Sequence, residues 1–337
     1  MRGASIALVS IAWLTCACDR PADPAWIAAR LAEAHARDTT ERAAHAADDE
    51  RTSWTLEIVA PSGHRESIPF QTLADLPRTE VTTVEPDEAE SAGAVRFSGV
   101  RIADLVHRTE GGDHAPDVTL LASDGFRATL QMEDVRLFPI LLAMDANGSP
   151  LGRDHGGPLY SILPITQHPD LGQRYTSSSW VFYVTHLLIG TPPTSVRIGD
   201  REIDAEELAA MPTTSLSAVA GYRTGWPSEP VLLHGVRVRD LLGDSALAPS
   251  DHVRVLSRAL VTRGTDRPTL ITAEDVLGQD VMLALSYGES HEPIPSRLGG
   301  PVVLAFPSAV AEHLTDHDWL TFVEELAIVP AAAPSAT

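Results

Sequence analysis

Six short motifs occur twice in this 337-residue chain, in the same order both times. FSGVRIADLV at 97–106 matches LHGVRVRDLL at 233–242, MEDV at 132–135 matches AEDV at 273–276, and LLAM at 141–144 matches MLAL at 282–285. Asn147-Gly148 matches Tyr287-Gly288, and the turn Gly156-Gly157-Pro158 matches Gly299-Gly300-Pro301. WVFYVTHLLIG at 180–190 matches WLTFVEELAIV at 319–329. No single match is specific, but kept order at near-constant spacing is the mark of an internal duplication. The fold problem therefore reduces to one unit of roughly half the chain, written twice.

Each unit reads as short strands in quick succession with few helices, which predicts an α+β domain built on mixed sheets. In the first, WTLEIVA at 54–60 opens as a strand, TLADLP at 72–77 is a helical turn, and EVTTVE at 80–85 is β-rich. Val95-Arg96-Phe97 runs into a turn expected at Ser98-Gly99. RIADLVHR at 101–108 then carries apolar residues at helical spacing. Strands are expected at 117–122 and 127–132 around Ser123-Asp124-Gly125, with a short turn at Asp134-Val135. PILLAMD at 139–145 is a buried strand, and LYSILP and WVFYVTHLLI close the unit. The second unit repeats this from SVRIGD at 195–200 to Val329. Boundaries follow at 52–190 and 191–330, with a disordered Ala/Pro tail at 331–337.

The ends carry a different message. MRGASIALVSIAWLTCAC begins with one arginine, then an apolar run too short to span a bilayer, then small residues, which is the pattern of a signal peptide over 1–17. Ala17 before Cys18 resembles a bacterial lipoprotein cleavage box, although Thr15 stands where a branched apolar residue is usual. Cleavage there would make Cys18 a lipid anchor; plain secretion at a small-residue site is the other reading. Residues 18–51 are rich in alanine and charge and read as a spacer. An exported protein of the bacterial cell envelope, facing the periplasm, is expected on either reading. A net charge of −21 argues against nucleic acid as a partner. Both cysteines, Cys16 and Cys18, lie in the N-terminal segment, so the body has no thiolate to offer a metal or a substrate.

The succession of a GVxxxDLL helix, an SDG turn, an ED turn, an NG turn, GGP-x4-P and a closing tryptophan segment resembles the sulfite oxidase-type molybdopterin-binding domain, in two tandem copies. That resemblance implies a molybdenum centre held by a pterin dithiolene and one cysteine thiolate, with basic residues on the pterin phosphate. The cysteine's counterparts are Thr83 in EVTTVEPD and Ala218 in SAVAGY. Neither supplies the soft ligand that such chemistry needs. For the phosphate, the first copy keeps Gly172 and Arg174 in PITQHPDLGQRYTSSSW, whereas PSAVAEHLTDHDW in the second is acidic. If either copy binds a pterin or another anion it is the first, through Arg153, His155, Gly156, Gly157, Arg174 and Tyr175. No catalytic residue is singled out, and a bound molybdopterin is less expected than no cofactor. The cluster Glu312, His313, Asp316, His317 and Asp318 reads as a solvated loop, so no metal site is expected. Two functions stay open: a degenerate oxidoreductase relative binding molybdopterin in its first copy, or a non-catalytic envelope scaffold with a protein partner.

Overall fold

The computed structural model describes residues 51–86, 93–222, 225–243, 247–258, 269–312 and 318–330. Cys18 and the N-terminal segment, nearly all of the spacer, His313, His317 and the C-terminal tail lie outside the described residues. Residues 47–337 make up one compact unit that contains both copies.

The chain is α+β, with two sheets per copy. In the first copy, β1 (Thr55–Val59), β2 (Arg65–Pro69), β5 (Asp117–Ala122), β6 (Arg127–Gln131) and β10 (Val184–Ile189) form one sheet in the order β2-β1-β10-β5-β6. A second sheet runs β3-β4-β7-β8, from Thr79–Thr83, Val95–Arg101, Leu141–Ala146 and Ser149–Pro150, with β9 (Tyr160–Ile162) paired to β7. The second copy repeats both orders. Its first sheet is β12-β11-β20-β15-β16, from Arg201–Asp204, Ser195–Ile198, Val323–Val329, His252–Ser257 and Thr269–Thr272. Its other is β13-β14-β17-β18, from Thr213–Ala218, Val231–Arg237, Met282–Tyr287 and Glu292–Pro293, with β19 (Val303–Ala305) on β17. β1 pairs parallel to β10, as β11 does to β20, and the other ladders are antiparallel.

Three local expectations change. Ser98-Gly99 is not a turn but a bulge inside β4, where it crosses β7. A Cβ on Gly99 would lie 2.0 Å from the Leu142 carbonyl oxygen, so the glycine is there for a close crossing of strands. Gly235 meets the Leu283 oxygen in the same way. Asp134-Val135 lies within a helix, Met132–Leu137, which buries Met132 and Val135. The closing segment is a strand only from Val184, because Tyr183 has φ 54°, as Phe322 has φ 53° before β20.

Each copy has its own apolar core, one spanning Leu56 to Ile189 and the other Val196 to Leu326. The copies meet where Phe322 packs on Val59, Leu121 and Leu188, on the outer face of the β1-β10-β5 sheet. That sheet is covered on both sides: Leu56, Ile58, Leu120 and Leu187 face the first core, and Val59, Leu121 and Leu188 face the second copy. Arg127 is buried beside this contact, its Nε donating to the Arg297 carbonyl at 3.2 Å and its guanidinium 6.0 Å from the Phe322 ring. Burial lowers its pKa to about 10, so it stays cationic at neutral pH. At the edge, Arg65 and Arg258 both donate to Glu324, at 2.7 and 2.6 Å.

Among the described residues, the corresponding sheet of the second copy is covered on one side only. By register, Glu57, His186 and Leu121 correspond to Arg197, Glu325 and Leu256. There Arg197 and Arg254 both bridge to Glu325 on an outward face.

Candidate functional site

The turn that the sequence repeats builds the same backbone twice. A helical turn, Arg153–His155 or Ser296–Leu298, ends at a left-handed glycine, Gly156 (φ 79°) or Gly299 (φ 93°). Gly157 N donates to the Gly152 carbonyl at 2.9 Å, and Gly300 N to the Pro295 carbonyl at 3.0 Å. The peptide bonds to Pro158 and Pro301 are both cis. Tyr183 N then donates to Gly156 O at 2.9 Å, tying the turn to the closing segment, as Phe322 N does to Gly299 O at 2.6 Å.

Around this turn the two copies differ. In the first, a cleft of about 760 Å³ opens between Glu85, Val95, Phe97, Ala146, Gly156 and Phe182. Its rim carries Asp154 and His155, whose Nδ1 lies 3.0 Å from Asp154 Oδ1, and Tyr183, whose hydroxyl donates to the Arg153 carbonyl at 2.7 Å. In the second, the segment after β13 turns inward. Tyr222 lies 5.2 Å from Trp319 between ring centroids and donates to the Leu304 carbonyl at 2.7 Å. Trp226 lies 4.9 Å from Tyr222 and 5.7 Å from Tyr287, and its Nε1 donates to the Leu298 carbonyl at 2.7 Å. The register pairs Phe97 with Ala146 and Leu233 with Tyr287, so Tyr287 corresponds to cleft residue Ala146. Leu298 likewise corresponds to His155. Trp226 thus fills in the second copy the space that, among the described residues, is open in the first.

The six residues expected to grip an anion are not brought together. Gly156, with Gly157 behind it, and His155 border the cleft, and Arg153 lies 4.7 Å over the Tyr183 ring at its rim. Arg174 and Tyr175 sit elsewhere, on the buried carboxylate of Asp134. Arg174 pairs with both Asp134 and Asp170, and Tyr175 donates to Asp134 at 2.5 Å while accepting from Gln131 N at 3.0 Å. Burial, with the Asp134 bond next, pushes the Tyr175 hydroxyl up to about 12. Among the described residues lining the cleft there is no arginine, while Glu85 and Asp154 are acidic. A phosphate gains nothing from such a lining.

Thr83 and Ala218 occupy the same register position, opposite Val95 and Val231. The Thr83 hydroxyl is fully buried, lies 3.2 Å from Thr166 Oγ1 and accepts from Thr166 N at 3.3 Å. Thr166 Oγ1 in turn accepts from Val84 N at 3.0 Å. A neutral hydroxyl tied into such a pair is no substitute for a thiolate, so these residues do not fit a cysteine-ligated molybdenum centre. The sequence pointed to the GGP turn; it gave no sign that Phe182 and Ala146 would matter, because their role depends on strand register.

Residues 43–167 match the model of the family described as "Oxidoreductase molybdopterin binding domain". The chain is similar to the uncharacterized oxidoreductase YuiH of Bacillus subtilis (strain 168), with 28% identity over 120 residues, 34% of this chain and 59% of that protein. Among solved structures, the sulfane dehydrogenase SoxCD from Paracoccus pantotrophus aligns over 65% of this chain and 59% of its own, at 15% identity and a TM-score of 0.34. The chain therefore spans 59% of the length of each of these relatives.

Proposed function

We propose, for a chain that belongs through residues 43–167 to the oxidoreductase molybdopterin-binding domain family, the role of an exported, non-catalytic binding protein. It keeps the family's fold in two tandem copies, 52–190 and 191–330, and does without cysteine-ligated molybdenum. Its binding site is the cleft of the first copy; the second copy is structural. The observation that carries this reading is Thr83, a buried hydroxyl bonded to Thr166 at the position expected of the metal ligand, in a chain whose cysteines are Cys16 and Cys18 alone. The acidic cleft lining supports it further, since the pterin phosphate would meet Glu85 and Asp154 there.

The test is composition. The protein is purified from a host that makes molybdenum cofactor, its molybdenum is measured by elemental analysis, and released pterin is measured by fluorescence. Well-folded protein with neither is the expected result. Stoichiometric molybdenum and pterin would establish the oxidoreductase reading instead. Export and anchoring are tested apart from this: palmitate label should enter the wild type in a bacterial host and be lost in Cys18→Ala.

A further inference from the structure

The geometry points to one ligand chemistry for the first copy's cleft: a small, neutral or cationic molecule with a planar aromatic ring that carries an N–H donor. This rests on reading that cleft as the open binding site, and it goes further by saying what the site takes.

The duplication supplies a natural comparison. In the second copy an indole occupies the site from within, with Trp226 against Tyr222 and Tyr287 and its N–H on the Leu298 carbonyl. The turn that presents that carbonyl is the same in the first copy: His155 N donates to Gly152 O at 3.0 Å, as Leu298 N does to Pro295 O at 2.9 Å. The His155 carbonyl therefore stands where the acceptor of the indole N–H stands. What the first copy lacks is the ring, because no aromatic residue occurs between Thr83 and Val95 in VEPDEAESAGA.

The walls have changed to match. Leu233, Val303 and Thr321 of the second copy correspond to Phe97, Tyr160 and Phe182 of the first, by register and by the shared turn. Phe182 and Tyr160 lie 4.4 Å apart at 30°, and Phe182 is 46% exposed although its other face is packed. An exposed aromatic beside a cleft offers a stacking surface. Ala146 in place of Tyr287 leaves the room. Nearby, the buried Ser161 Oγ and Trp180 Nε1 have no hydrogen-bond partner among the described residues. They flank the region where, in the second copy, Tyr222 bonds Leu304 O and packs on Trp319. The charge of the ligand follows from Glu85 and Asp154: an anion is repelled and a neutral or cationic ring is not. A cleft of about 760 Å³ accepts a small organic molecule whole.

The experiment is isothermal titration of the full exported chain with N-acetyltryptophanamide, against N-acetylleucinamide as the aliphatic control. One saturable site per chain is expected, with the leucine amide weaker by about tenfold or more, from lost stacking and a lost hydrogen bond. Ala146→Trp, which restores a large ring at the position of Tyr287, should abolish binding while circular dichroism stays unchanged. If that variant does not fold, Phe182→Ala decides, with a loss of about tenfold. The inference is overturned by a flat titration, by equal affinity for the two amides, or by binding untouched in both variants. Molybdenum and pterin content, measured on the same preparation, tests the proposed function separately. Their absence together with a flat titration refutes this inference alone.

Discussion

His186 should make the protein lose stability in mild acid, by an amount that can be worked out from where it sits. It lies on β10 beside Glu57 of β1, on the sheet face that the second copy covers, and its Nδ1 is 2.8 Å from Thr185 Oγ1. Burial, with Arg258 and Arg65 next, lowers its pKa to about 3. In the unfolded chain the imidazole titrates near 6.5, so between these values the unfolded state binds a proton that the folded state refuses. The stability is present above about pH 6.5 and is lost as pH falls towards the folded value. From pH 7.5 to pH 5.0 the loss assigned to this one residue is about 2 kcal/mol. Glu57, whose pKa is raised chiefly by burial, works in the opposite direction over the lower part of this range, so the wild type alone does not isolate the effect. His186→Gln does, since it keeps a polar partner for Thr185 but does not titrate. Urea unfolding of both proteins at the two pH values gives the comparison. Wild type should lose about 2 kcal/mol more than the variant on acidification. Equal losses would refute the burial of a neutral imidazole at the contact between the copies.

Four further outcomes are expected from the same kind of measurement. Tyr175→Phe leaves the buried Asp134 carboxylate and the Gln131 N–H each short of a partner, and should cost about 2 kcal/mol in urea unfolding. Gly300→Ala puts a Cβ 1.8 Å from the Ile294 carbonyl oxygen, and about 3 kcal/mol or outright misfolding should follow. Gly148→Ala, at φ 82° with nothing within 4 Å, should cost about 1–2 kcal/mol through backbone strain alone. Phe322→Ala removes the ring that the first copy's sheet packs on, and should lower the thermal midpoint with a loss of about 3–5 kcal/mol.

Much of the fold was legible because duplication let each half check the other. The GGP turns, the helix at Ile102–Arg108 and the hairpin around Ser123-Asp124-Gly125 all lie where local pattern put them. Gly99 was misread because a glycine in a crossing strand and a glycine in a turn look alike in one dimension. Nothing local announces that a neighbouring carbonyl will pass within reach of a missing Cβ. Arg174 and Tyr175 stood out beside the expected phosphate loop, yet their partner is Asp134, some 40 residues back, a pairing set by tertiary packing. The cleft itself was illegible for a related reason. It is defined by Trp226 being present in one copy and by Ala146 being small in the other, and only strand register connects the two.

The one-sided sheet of the second copy has a further consequence. The two halves meet front to back, since the rim around Phe322 on one docks on the sheet of the other, and such a contact does not close on itself. Left unchanged, the open sheet at the far end would offer the same seat to a third unit, and so on into a filament. Arg197, Glu325 and Arg254 stand at the very register positions that such a guest would have to bury. They act as an end cap does in a solenoid, with a charged cluster where the first copy carries Glu57, His186 and Thr119. The molecule is in this sense an array of two with its growth arrested by three side chains.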